Sequence, residues 1–125
     1  MKSTSHNVLI IDDDEGDRQL IKEALTRLGT TFDLCEAGSG EEGLQKIQTD
    51  KANFIVIINT HLPGIDGFET CRRIKQLPMT RTKVIICTGI VDAVDAGKAR
   101  QMGADDFCVK TSDYGVLMAA VQKMV

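Results

Sequence analysis

The sequence predicts an α/β domain: a parallel β-sheet of five strands with helices on both faces, a three-layer (βα)5 sandwich. Two observations carry that expectation. Five short apolar runs recur along the chain, and a segment with helical spacing of apolar residues follows each one. A right-handed crossover through a helix returns the chain to the same edge of the layer, so strands that alternate with helices run parallel.

Asn7–Ile11 (NVLII) is a short run of the kind that forms a buried parallel strand. From Asp17 to Leu28, residues Ile21, Ala24, Leu25 and Leu28 recur at helical spacing, and Gly29 is a natural stop. Thr31–Ala37 alternates and is strand-like. Ser39 and Glu42 have the spacing of a capping box for a helix carrying Leu44 and Ile47. Phe54–Ile58 is the strongest strand, β-branched nearly throughout. A helix follows over Gly67–Gln76 with Phe68, Cys71 and Ile74 on one side, then the buried strand Lys83–Cys87. Asp92–Met102 is helical but rich in Ala and interrupted by Gly97, so its apolar face is thin. Asp106–Lys110 is a short last strand, and Val116–Val125 a final helix with Leu117, Ala120, Val121 and Met124 inward.

At 125 residues the chain makes one domain, 1–125, with residues 1–6 as a polar tail. A net charge of −3 and a pI near 5.3 give no electrostatic footprint for nucleic acid or an anionic membrane. No apolar run approaches the ~20 residues of a membrane span. "MKSTSHN" leads into no signal-peptide core, so a cytoplasmic location is the default expectation. The four cysteines form no C-x-x-C pair. Cys35, Cys87 and Cys108 fall in strands and read as reduced, buried small hydrophobes; Cys71, on a helix, is the one candidate for a redox role. Arg72, Arg73 and Lys75 read as a solvated helix face.

Parallel sheets carry ligand sites at the carboxyl ends of their strands. There the chain places Asp12, Asp13 and Asp14 after the first strand, Asn59 after the third, Thr88 and Gly89 after the fourth, and Lys110 at the end of the fifth. Adjacent carboxylates repel unless a cation neutralises them. Hard oxygen donors favour Mg²⁺ over zinc or copper. A cation, a hydroxyl and a lysine around one point make a pocket for a phosphoryl group. A carboxylate at position 59 would be placed as its nucleophile. Alone, "DDDEGD" reads equally well as a solvated acidic loop that starts a helix. The ordered set of Asp12, Asp13, position 59, Thr88 and Lys110 is far more specific.

The segments "VLIIDDDEGDR", "LPGIDGFE", "VIICTG" and "GADDFCVK" resemble, in order, the signature segments of the receiver domain of two-component response regulators. The resemblance spans essentially the whole chain and implies a flavodoxin-like fold with sheet order 2-1-3-4-5. It implies that Asp12 and Asp13 hold Mg²⁺ together with position 59, that Thr88 is the switch hydroxyl, that Phe107 is the switch aromatic, and that Lys110 pairs with the phosphate. It also implies a sensor histidine kinase or phosphotransfer protein as partner, and an effector docking on the face made by the fourth helix, fifth strand and fifth helix. No catalytic turnover is implied.

Asn59 stands where the family has its phosphoacceptor aspartate. A carboxamide oxygen is a weak nucleophile, so the aspartyl phosphate of a phosphorelay should not form, and the lost charge should weaken Mg²⁺ binding. Asn59 belongs either to a natural pseudo-receiver or to a substitution that holds the unphosphorylated state. Thr111 replaces a proline that usually follows the lysine through a cis bond; a cis bond to a non-proline costs ~3 kcal/mol, so Lys110–Thr111 should be trans. Gly89 stands where a slightly larger residue is common, which should loosen the loop.

Three other function classes compete. A phosphorylation-independent interaction module would keep the pocket as a vestige. A haloacid-dehalogenase-like phosphatase fits Asp12-x-Asp14 and Thr88, but its lysine should precede the last acidic pair, whereas Lys110 follows Asp105 and Asp106. A flavodoxin-like cofactor binder wants Gly, Ser and Thr amides after the first strand, and that loop is acidic. With Val125 directly after the last helix, the expectation is a single-domain regulator or a receiver cut from a longer protein.

Overall fold

The computed structural model of the protein describes residues 6–50, 53–78, 81–89 and 93–125. Residues 1–5 of the expected polar tail and the expected helix start at Asp92 lie outside them, whereas His6, expected to end that tail, opens the first strand. Strands β1 (His6–Ile11), β2 (Phe32–Ala37), β3 (Phe54–Asn59), β4 (Lys83–Thr88) and β5 (Asp106–Val109) alternate with helices. These are α1 (Glu15–Thr26), α2 (Gly40–Asp50), α3 (Gly67–Gln76), α4 (Ala93–Gln101) and α5 (Gly115–Gln122). The sheet runs β2-β1-β3-β4-β5, parallel throughout, the flavodoxin-like order anticipated from the sequence.

Each central strand is apolar on both faces because both faces are covered. Alternation divides the core in two. Val8, Ile10, Ile55, Ile57 and Ile85 pack against α1 and α5 through Ile21, Leu25, Leu117 and Val121. Leu9, Ile11, Val56, Ile58, Val84 and Ile86 pack against α2, α3 and α4 through Ile47, Phe68, Cys71, Ile74 and Ala99. Among the described residues Ala99 is the buried apolar residue of α4, whose apolar side chains are hardly concentrated on any face, as its composition predicted. Met124 lies past the end of α5 and packs only partly against the core.

Local chemistry sets the helix ends. Asp14 Oδ1 accepts from Asp17 N–H at 3.0 Å, so α1 begins at Glu15, two residues before the apolar spacing alone indicates. Asp66 caps α3 in the same way, accepting from Glu69 N–H at 2.8 Å. Ser39 Oγ accepts from Glu42 N–H at 3.1 Å in the first turn of α2. Gly29, at φ +76°, turns the chain after α1.

Two expectations need correction. Lys75 does not belong to a solvated face: its Nζ donates to Thr82 O at 2.9 Å and to Asp105 Oδ2 at 2.6 Å, tying α3 to β4 and to the loop before β5. Arg72 and Arg73 both pair with Glu69 on the surface. Cys35 is only half-buried; Cys71, Cys87 and Cys108 are buried, and all four cysteines are free. Burial pushes the Cys71 thiol up to about 11, which keeps it protonated and argues against a redox role. No cis peptide bond occurs among the described residues, so Lys110–Thr111 is trans. No helix among them is long and apolar enough to cross a membrane.

Two glycines should respond to alanine with opposite signs. A Cβ on Gly67 would stand 2.2 Å from Asn59 O, against backbone that cannot yield cheaply, whereas one on Gly97 would meet nothing within 4 Å. Gly67→Ala should cost ~1–3 kcal/mol, and Gly97→Ala should stabilise by ~0.5–1 kcal/mol. Urea denaturation of the two variants against the parent checks both.

Candidate functional site

The carboxyl rim of the sheet is built by continuing the strand ladders. Asp12 N–H donates to Ala37 O at 3.0 Å, and Lys110 N–H to Thr88 O at 2.7 Å, so both residues extend the sheet by one step. Ile11 pairs with Ile58, which makes Asp12 and Asn59 the next neighbours along the same register. Asn59 pairs with Cys87, and Cys87 with Cys108. Asp12, Asn59 and Lys110 thus continue the alternation of Ile10, Ile57 and Cys108, on the α1–α5 side.

Asp12 is 1% exposed. Its Oδ1 accepts from Asp14 N–H at 3.0 Å and its Oδ2 from Lys110 Nζ at 2.8 Å. Lys110 Nζ also donates to Asp17 Oδ2 at 2.8 Å. Burial works against the ammonium, but its hydrogen bonds to Asp12 and Asp17 more than offset it, and the Lys110 pKa lies well above its usual 10.5. Arg18 donates through Nη1 to the Asp12 carbonyl and through Nε to Glu36 Oε1 at 3.0 Å. Lys22 holds the other Glu36 oxygen at 2.9 Å, and together they keep that carboxyl below its ordinary range, Lys22 first.

Asn59 is half-buried and donates through Nδ2 to His61 O at 3.0 Å. Thr88 is 2% exposed and accepts a hydrogen bond from Thr60 Oγ1 at 3.0 Å. Gly89 is exposed with open space where a side chain would stand, so a larger residue fits there. Phe107 lies on the opposite side of the sheet from Lys110, packed partly against the α2–α3–α4 core, and lines a cleft of about 170 Å³ with Ala96, Ala99 and Arg100.

The three consecutive aspartates therefore have three different surroundings. Asp12 is buried in an ion pair, Asp13 is exposed, and Asp14 is a helix cap. Sequence reasoning brought Asp12 and Lys110 to one point correctly and missed Asp17 and Thr60. The signal for Asp17 was a fourth aspartate in "DDDEGD" at the first turn of a helix that starts on the rim. No group of three or more His, Cys, Asp or Glu among the described residues is arranged to hold a metal ion. At position 59 the rim offers an amide.

Residues 8–122 match the family model of the response regulator receiver domain. The chain belongs to that family. It is 37% identical over 122 residues to the transcriptional regulatory protein AfsQ1 of Streptomyces coelicolor, covering 95% of this chain and 51% of that protein. It is 33% identical over 116 residues to a probable chemotaxis protein CheY of Rhizobium etli, covering 92% of this chain and 88% of that one. A crystal structure of a putative response regulator from Chloroflexus aurantiacus superposes with a TM-score of 0.86 at 30% identity, over 97% of this chain and 98% of that one. The receiver spans about half the length of the first curated relatives it matches.

The ion pair at the receiver's rim sets a measurable asymmetry. Lys110→Met leaves Asp12 buried without its cation and should cost ~3–5 kcal/mol at neutral pH. Asp17 is a third exposed, and Asp17→Asn should cost ~1 kcal/mol or less. The Lys110 pKa is raised in the folded state, so its contribution is full below pH 10.5 and is lost as pH rises through the folded value. Parent and Lys110→Met should therefore converge in urea denaturation at strongly alkaline pH.

Proposed function

We propose that this receiver acts in two-component signalling by docking to partner proteins, and that Asn59 keeps it from forming an aspartyl phosphate. The observation that carries the reading is the rim itself: Asn59 lies next in register to Asp12, whose carboxylate already holds Lys110. In a competent receiver, a carboxylate oxygen at position 59 attacks phosphorus. Lys110 then faces a phosphoryl oxygen and Thr88 supplies a hydroxyl, both stabilising charge that develops on the transferring group. Here the carboxamide's lone pair is held in amide resonance, and its N–H₂ is engaged by the His61 carbonyl. The Lys110 ammonium rests on Asp12 and Asp17.

Receiver domains typically bind Mg²⁺, and the donors present suit it in kind: the Asp12 and Asp13 carboxylates and the Asn59 amide oxygen are hard oxygen ligands. When bound, the ion neutralises charge on a transferring phosphoryl group. Two features weaken the site: Lys110 already neutralises Asp12, and Asn59 brings no charge. Receivers are generally signalling modules rather than catalysts, and they interact with sensor histidine kinases and effectors. For this chain a histidine kinase or phosphotransfer protein is the proposed input partner. The α4–β5–α5 face, with Phe107 half-buried beside thinly packed α4, is the proposed output surface.

A second reading, a phosphorylation-independent interaction module, draws on the completeness of the resting pocket, where the ammonium and both its carboxylates are mutually satisfied. One substitution separates the two. Asn59→Asp should gain a base-labile phosphoryl group from a small acyl phosphate with Mg²⁺, read by intact-mass spectrometry, while the parent stays unmodified. Peptide mapping first excludes deamidation of the parent. An unreactive variant makes the pocket vestigial and favours the interaction module. Calorimetry should show Mg²⁺ binding the aspartate variant more tightly than the parent, and equal affinities would refute the charge argument.

A further inference from the structure

Thr60 neighbours Asn59 in the chain but faces the other side of the sheet. Asn59 follows Ile57 toward α1 and α5, whereas Thr60 follows Ile58 toward α2, α3 and α4. Thr88 follows Ile86 on that same second side. The pairing of Asn59 with Cys87 brings Thr60 beside Thr88. Both side chains are buried, Thr60 at 4% and Thr88 at 2%, and Thr60 Oγ1 donates to Thr88 Oγ1 at 3.0 Å. The Thr60 backbone is fixed as well. Its carbonyl accepts from Gly67 N–H at 2.9 Å, and Gly67 packs so closely that a Cβ there would stand 3.0 Å from Thr60 Cα.

We propose that Thr60 is a positioning residue for the switch: its hydroxyl latches Thr88 on the α3–α4 side of the sheet and opposes closure of Thr88 over an anionic group at the Asn59 rim. The inference rests on the receiver reading of Thr88 and adds a residue to it. A β-branched side chain moves between discrete χ1 wells. To turn toward the rim, the Thr88 hydroxyl must leave its well or carry its backbone with it, and either motion breaks the Thr60 bond. A neutral hydrogen bond of this kind shifts an equilibrium constant roughly 2- to 10-fold. Thr60 thus biases the switch toward rest without touching the acceptor chemistry.

The test has two arms. Three-bond couplings to the Thr88 methyl carbon report its χ1 well by NMR. In the Asn59 protein, Thr60→Val keeps the shape and removes the hydroxyl; the couplings should pass from a single-well pattern to an averaged one, and Thr60→Ser should restore the pattern. Unchanged couplings in Thr60→Val overturn the latch. The second arm uses the Asn59→Asp background with beryllofluoride and Mg²⁺ as a phosphoryl mimic. Adding Thr60→Val should tighten beryllofluoride binding roughly 2- to 10-fold, Thr60→Ser should reverse the gain, and Thr88→Val should abolish it. A Thr60→Val protein that loses stability with unchanged couplings and affinity has lost only a structural hydroxyl, which also overturns the latch. Failure of Asn59→Asp to bind beryllofluoride at all overturns the reading of position 59 as an acceptor site, and the couplings then decide the latch on their own.

Discussion

The pairing of Lys110 with Asp12 is the constraint on which the rim depends. It joins residues 98 apart in the chain, one at the end of a short edge strand and the other at the end of an inner strand. Removing both charges from water is expensive, and a buried ion pair rarely outperforms well-packed apolar residues of the same volume. Its presence therefore cannot be explained by stability alone. It holds a positive charge at the carboxyl end of a parallel sheet, where the topology gathers loops. Both Asp12 oxygens are engaged, and Arg18 fixes the Asp12 carbonyl, so neither charge can drift without breaking several bonds at once.

Asn59 acts on that balance by what it lacks. It matches aspartate in shape, so it disturbs no packing, but it adds no charge and spends its amino group on the His61 carbonyl. With position 59 neutral, Asp12 and Asp17 are the carboxylates left to Lys110, and the three groups close a local network. The Lys110 ammonium is therefore shared between two carboxylates at rest. A phosphoryl group or a divalent cation entering the pocket would have to compete with contacts that already exist.

Much of this architecture was legible in the sequence, and the reasons are physical. Runs such as Phe54–Ile58, apolar at every position, have no other home in a small α/β domain than a strand covered on both faces. Glycine and capping residues punctuate them, which places α3 to the residue. That Asp12, Asn59, Thr88 and Lys110 share one rim followed from topology, because all four lie at strand ends, although Thr88 faces the other side of the sheet. What stayed hidden depended on register and on side-chain reach. Asp17 lies on a helix, and only the distance a lysine spans shows that it meets Lys110. Thr60 was hidden by parity. It follows Asn59 in the chain, whereas the sheet pairs it with Thr88 on the opposite face. Lys75 looked like one of three surface cations, and only the fold shows it reaching Asp105 across 30 residues.

Parity also divides the rim between the two sides of the sheet. Asn59 and Lys110 lie on the α1–α5 side, whereas Thr88, Phe107 and α4 lie on the other. A change at position 59 must therefore cross the sheet to reach α4, and the crossing point is the end of β4. There Thr88 contributes its side chain to one side, while its carbonyl takes the amide of Lys110. This makes Thr88 the residue in contact with both sides: covalently part of β4, bonded through backbone to the lysine, and bonded through its hydroxyl to Thr60. Beyond it stands α4, a helix whose apolar side chains are hardly concentrated on any face among the described residues. Under the proposed latch, a Thr88 hydroxyl that moves by one rotamer at the end of β4 would meet a weakly held helix, and that juxtaposition is the route by which a buried rim would act on an exposed surface.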